Sequence, residues 1–135
     1  MPLPVTAFYA ALLGLLFIVL TLRVARARMR SKVMMGTGQD RLLERAVRAH
    51  ANFAEFVPLA LVLIGLAEGL GLAAWAMHGL GAALLLARVC HAIGISREPD
   101  IGPLRSGGAG LTLVVLAVSA ATLLGLALAG SGGMG

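Results

Sequence analysis

The chain has 135 residues, of which 59% are hydrophobic and only 13% charged, whereas a soluble domain carries about a quarter charged residues. With a mean hydropathy of +0.95, this excludes an ordinary soluble domain and predicts an integral membrane protein with a single domain over residues 1–135. The formal charge of +5 sits largely in one basic run; aromatic residues are scarce and no folded platform would present that run, so nucleic acid is excluded as a partner. The single cysteine, Cys90, excludes an intrachain disulfide framework.

The first predicted helix spans roughly Val5 to Leu22, about 18 residues, near the minimum for crossing a hydrocarbon core of about 30 Å. It has no charged side chain, and Arg23, Arg26, Arg28, Arg30 and Lys32 follow it. A secretory signal places its positive charge before the apolar stretch. The segment therefore reads as an uncleaved anchor with its N-terminus outside. The basic run reads as a topology determinant drawn to anionic lipid headgroups.

The second helix is predicted to start near Asp40, an N-cap after Gly36-Thr37-Gly38, and to run to about Ala67. At 1.5 Å per residue it is about 40 Å long, so its arginine-rich first turns stand outside the hydrocarbon core. Pro58 is expected to kink it. Arg41, Arg45, Arg48, Asn52 and Glu55 follow one another at steps of four, three, four and three, which places them on one helical face. Charged groups within a membrane cost about 2.5–3.5 kcal/mol each at mid-depth, so such a seam calls for a function or a partner. Arg48 can grip a carboxylate, Glu55 can accept from an ammonium, and Asn52 can do both. The same three residues also suit a structural network that satisfies itself and the neighbouring helices.

The third span covers about Leu72 to Gly94, after a short turn at Glu68-Gly69-Leu70-Gly71. Arg88 and His91 lie one turn apart on it, at a depth matching Arg48 to Glu55, which points to a shared polar pocket. Taken singly, Arg88 could snorkel to headgroups and His91 could be a packing residue. No metal site is expected: Cys90 and His91 diverge by about 100° on a helix, and His50 adds no ligand spacing of a known kind. His78 has no visible partner and reads as structural. The fourth span runs from about Gly108 to Ala129, with a glycine-rich tail expected to fray. At its start, Pro103-Leu104-Arg105-Ser106 offers a cation and a hydroxyl beside free helical N–H groups, suited to an anion or thiolate. A topogenic arginine with a capping serine is the plainer alternative. Gly65 and Gly69, four residues apart, and Gly79 permit close helix approach.

These motifs together resemble the MAPEG family, the membrane-associated proteins in eicosanoid and glutathione metabolism. The resemblance covers nearly the whole chain. It rests on Glu44-Arg45-Ala46-Val47-Arg48-Ala49-His50-Ala51-Asn52-Phe53-Ala54-Glu55-Phe56-Val57-Pro58, on Ala87-Arg88-Val89-Cys90-His91, and on Pro103-Leu104-Arg105-Ser106. The small size and short loops look most like the bacterial branch. The resemblance implies an all-α, left-handed bundle of four transmembrane helices, assembled as a homotrimer, with glutathione bound between subunits at the cytoplasmic side. It further implies that Arg48, Asn52, Glu55, Arg88 and His91 hold glutathione, and that Arg105 and Ser106 act catalytically near its thiol. Arg23 and Arg26 are implied to reach the tripeptide's carboxylates. Three positions depart from the family pattern, since Phe56 on the second helix and His91 and Ile95 on the third stand where relatives carry tyrosines.

The reading that follows is a glutathione-dependent transferase or peroxidase of the bacterial inner membrane. It would act on a small lipophilic substrate gathered from membrane lipid, with further copies of itself as partners. Its rival is a non-catalytic structural, assembly or lipid-binding protein that retains the fold. A small four-helix drug exporter, similar in length, is disfavoured, because such exporters use a carboxylate in the first span and this one has none. Eight Lys or Arg lie between residues 23 and 48, Arg97 and Arg105 follow the third span, and the turn between spans two and three has neither residue. By the positive-inside rule both basic loops are cytoplasmic and both termini periplasmic. Reporters active in only one compartment, fused to Gly135, should accordingly be active only in the periplasm; cytoplasmic activity would remove this topology.

Overall fold

The computed structural model describes residues 2–131, and among them all regular structure is helical. Four helices, α1 (Pro4–Ser31), α2 (Arg41–Gly69), α3 (Ala74–Ser96) and α4 (Gly102–Ser131), are each long and apolar enough to cross a membrane. The expected frayed tail beyond Ser131 lies outside the described residues. Two helices outrun their predicted spans. The α1 helix continues through the whole basic run to Ser31, and α4 begins at Gly102, so Arg105 and Ser106 sit within its first turns. Pro103 is tolerated there because the first amides of a helix have no intrahelical acceptor to lose. The α2 helix passes through Pro58 as one continuous element.

Each terminus must find partners for its orphan amides or carbonyls, a strict demand near lipid. At α2 this is local: Asp40 accepts from the amides of Leu42 (2.9 Å) and Leu43 (3.0 Å). At α1 it is not. Leu3, in the cap position, has no side-chain oxygen to offer and Pro4 has no N–H. The carboxylate of Glu68, from the far end of α2, accepts instead from Val5 (2.9 Å) and Thr6 (2.8 Å). Nearby, the Tyr9 hydroxyl lies 3.3 Å from His78 Nδ1, so His78 does have a partner, contrary to the sequence reading. At the basic end, one Arg28 nitrogen donates to the carbonyls of Val33, Met34 and Gly36 and folds the α1–α2 loop around itself.

The core runs along the bundle through Leu13, Leu20, Phe53, Val57, Ile64, Met77, Leu84 and Val115. Phe17 stacks on both His50 and Phe53, with ring centroids 4.7 Å and 5.3 Å apart. The most extensive helix pairing joins α3 to α4, whereas the backbones of α1 and α4 are not paired among the described residues. Glycine makes the α3–α4 approach possible. A Cβ on Gly108 would stand 2.5 Å from the Ala87 carbonyl and 2.6 Å from the His91 amide, both rigid backbone. Gly94 meets the Arg105 backbone in the same way. Lipid offers helices no hydrophobic driving force to pair, so backbone proximity of this kind supplies much of the association. Replacing Gly108 by Ala should destabilise the bundle by about 1–3 kcal/mol, as overpacking typically does. A lowered thermal midpoint in detergent would show it, and an unchanged midpoint would mean that α3 and α4 are not this close.

Candidate functional site

The predicted polar face of α2 is present but divided. The buried side of α2, carrying Leu43, Ala46, Ala49, Phe53 and Val57, lies about a third of a turn away from it. Arg41, Arg48 and Glu55 are therefore exposed on a single chain, and Arg45 and Asn52 are half-buried. Arg48 and Glu55 form no hydrogen bond or ion pair among the described residues. Arg48, Asn52 and Glu55 thus do not satisfy one another within the chain.

Asn52 is instead claimed from across the bundle. Arg88 on α3 is 1% exposed. Its Nη2 donates to Asn52 Oδ1 at 2.8 Å, and its Nη1 to Thr112 Oγ1 on α4 at 3.3 Å. The Thr112 hydroxyl in turn donates a hydrogen bond to the Gly108 carbonyl, 2.8 Å away. The Phe53 ring lies 6.0 Å from the guanidinium carbon, at the edge of cation–π range. No carboxylate pairs with Arg88 among the described residues, so neutral groups alone hold a buried cation. A small cavity of about 70 Å³ opens beside it, bounded by Asn52, Phe56, Ala109, Thr112 and Leu113.

One turn towards the basic end, His91 is 5% exposed, and its Nδ1 lies 2.9 Å from the backbone carbonyl of Arg105. A carbonyl can only accept, so Nδ1 carries the proton and pins the start of α4 to α3. In the neutral ring Nε2 is then an enclosed acceptor, without a partner among the described residues.

Beyond His91 the groove between α2, the end of α3 and the start of α4 widens. A pocket of about 260 Å³ is lined by Arg41, Glu44, Arg45, Arg48, Ile95 and Arg105. Four guanidiniums and one carboxylate make this a strongly cationic concavity. Arg45 Nη1 donates to the Ile95 carbonyl at 3.4 Å. Arg105 is paired with Asp100 Oδ2 at 2.7 Å. Ser106 does not line the pocket; it is exposed, and its hydroxyl donates to the Gly102 carbonyl at 2.8 Å. Arg23 stays on α1 and donates to Ser96 Oγ at 2.6 Å.

The structure thus places Arg48 and Arg105 at the cationic pocket, and Asn52 and Arg88 at a deeper polar layer with His91 between the two. Glu55 faces outward and Ser106 turns away. Glu44, Thr112 and Asp100 belong to the constellation but escape sequence reasoning. Thr112 lies in an apolar run with no polar periodicity, and Asp100 in a loop whose path the sequence does not specify. No group of three or more His, Cys, Asp or Glu is disposed to hold a metal among the described residues.

The sequence profile of the MAPEG family matches residues 6–125. The chain is 38% identical over 90 residues to "Inner membrane protein YecN" of Escherichia coli (strain K12), covering 67% of this chain and 69% of that protein. The protein of the same name from Escherichia coli O6:H1 matches equally well.

Because Arg88 has only neutral partners, removing one should cost more than removing the charge. Asn52→Val strands a buried N–H of a cation, worth roughly 1.5–3 kcal/mol. Arg88→Met removes the charge at similar volume, and Thr112 keeps its bond to Gly108. The thermal midpoint in detergent should therefore fall further for Asn52→Val than for Arg88→Met; the opposite order would show that the buried cation stabilises the fold.

Proposed function

The chain belongs to the MAPEG family, and on that premise we propose that it is a glutathione-dependent transferase or peroxidase of the inner membrane, acting on lipophilic electrophiles. One observation carries this reading: four guanidiniums and the Glu44 carboxylate line a single pocket at the basic end of four apolar helices, with Glu98 and Asp100 pairing only Arg41 and Arg105 from outside the lining. The charges fit glutathione, which has two carboxylates and one ammonium at neutral pH. Arginines can clamp the former and Glu44 can accept from the latter. The amide donors of Asn52 and the outward carboxylate of Glu55 extend the binding set.

A free thiol has a pKa near 8.5, so only a few per cent is ionised at neutral pH. A neighbouring guanidinium favours the thiolate and raises the nucleophilic fraction. Arg105 is the residue for this task. The sulfur then bonds to the electrophilic carbon of a substrate reaching the groove from the bilayer, and the displaced group leaves with the electron pair.

The exposed seam supports an assembly of several copies. Arg48 and Glu55 cannot face lipid unpaired, and the same side of α2 continues as exposed Leu59, Val62 and Leu66. A homotrimer with this face of α2 between subunits covers both the charged and the apolar stretch, and places the pocket at the subunit boundary on the cytoplasmic side. A non-catalytic reading also has its support, in the Asp100 carboxylate already on Arg105 and the inward-bonded hydroxyl of Ser106.

Titrating glutathione into the detergent-solubilised protein, with thiolate absorbance followed against pH, separates the two. Arg48→Ala should weaken binding about ten- to a hundredfold, the worth of a charge-assisted hydrogen bond. Arg105→Ala should mainly raise the bound thiol's pKa. Absence of saturable binding at millimolar glutathione would leave the non-catalytic reading.

A further inference from the structure

The cationic pocket is partly filled by the chain's own charge. Between α3 and α4, residues 97–101 form a five-residue loop fastened at its base, where the Ile101 amide donates to the Gly94 carbonyl at 3.0 Å. Both of its carboxylates reach arginines of the pocket. Glu98 Oε1 lies 3.4 Å from Arg41 Nη1, across to α2, and Asp100 Oδ2 lies 2.7 Å from Arg105 Nη1 on α4. Arg45 is held by a neutral carbonyl, and Arg48 has no partner among the described residues. Two of the four guanidiniums are therefore neutralised from one loop.

These pairs are poor candidates for structural supports. The side chains of Arg41 and Arg105 are 79% and 50% exposed, and exposed ion pairs contribute little to stability. The α3–α4 junction beside the Asp100–Arg105 pair is already held by the backbone contacts at Gly94 and Gly108 and by the bond between His91 and Arg105. Their main effect is on the electrostatics of the pocket.

We propose that Glu98 and Asp100 form a self-docked anionic strap, whose carboxylates occupy the places on Arg41 and Arg105 that an anionic ligand must take. This rests on the reading of the pocket as an anion site, and it specifies the class of ligand. A molecule with two separated anionic groups can displace both carboxylates and recover both pairings. A monoanion recovers one at most and leaves Arg48 as its main contact. The strap therefore discriminates against singly charged thiols and inorganic monoanions, and it holds Arg105 in place until the ligand arrives.

The test is calorimetric titration of reduced glutathione into the full-length, detergent-solubilised protein, as wild type, E98Q/D100N and Arg48→Ala. Releasing two exposed pairs should tighten glutathione binding about three- to thirtyfold, with little change in thermal midpoint. Cysteine, with a single carboxylate, should gain less. Asp100→Glu, which keeps the charge, should bind as wild type does. Binding by E98Q/D100N where the wild type shows none would also support the strap. Equal or weaker binding by E98Q/D100N, alongside a wild type that binds and loses binding in Arg48→Ala, would overturn the strap and leave the anion site standing. Absence of binding in every form would overturn both.

Discussion

The buried guanidinium of Arg88 is the constraint around which the basic half of the bundle is organised. A cation removed from water must be hydrogen-bonded or it is very costly, and here Asn52 on α2 and Thr112 on α4 supply the acceptors. One α3 side chain thereby sets the register of three helices. Gly108 is a consequence of the same arrangement: the Thr112 hydroxyl donates to that residue's carbonyl, and only a residue without a Cβ lets α4 approach closely enough. Asn52 is in turn drawn away from its neighbours on α2, which leaves Arg48 and Glu55 unpaired on the outer side of the groove.

From that layer towards the basic end, polarity grows in steps. Arg88 is satisfied by neutral groups and His91 by a backbone carbonyl, whereas carboxylates appear only further out, on Arg41 and Arg105. The gradient follows the dielectric: ion pairs occur where water screens them, and neutral hydrogen bonds where desolvation would dominate. At the opposite end Glu68 does comparable work for the backbone, closing the amides of α1 that its own sequence leaves open. The two ends are thus held by different chemistry. One is a structural clamp, and the other a concavity whose charges exceed what the fold needs.

That excess is the main argument for function. A protein selected only to fill a membrane has no use for four guanidiniums around one pocket, since each adds repulsion to the others. The loop carboxylates on Arg41 and Arg105 reduce this repulsion without abolishing it, and Arg48 remains uncompensated. Membership of the MAPEG family supplies a chemical context for that charge.

What the sequence determined by itself is what local order encodes. Apolar runs bounded by basic or glycine-rich segments specify four helices, because length and hydropathy alone decide whether a segment can satisfy its backbone in lipid. The three-and-four spacing from Arg41 to Glu55 places those residues on one face, and Asp40 is legible as a cap because its partners are two and three residues away. Pairings over long separations were not legible. Glu68 serves amides more than sixty residues distant, and His78 finds Tyr9 across the bundle. Asp100 and Glu98 reach the pocket only because the loop closes back on Gly94. Helical periodicity says which side of α2 Asn52 and Glu55 share, but not which neighbour will come to that side. The buried Arg88 decided it, by claiming Asn52 and leaving Glu55 outside.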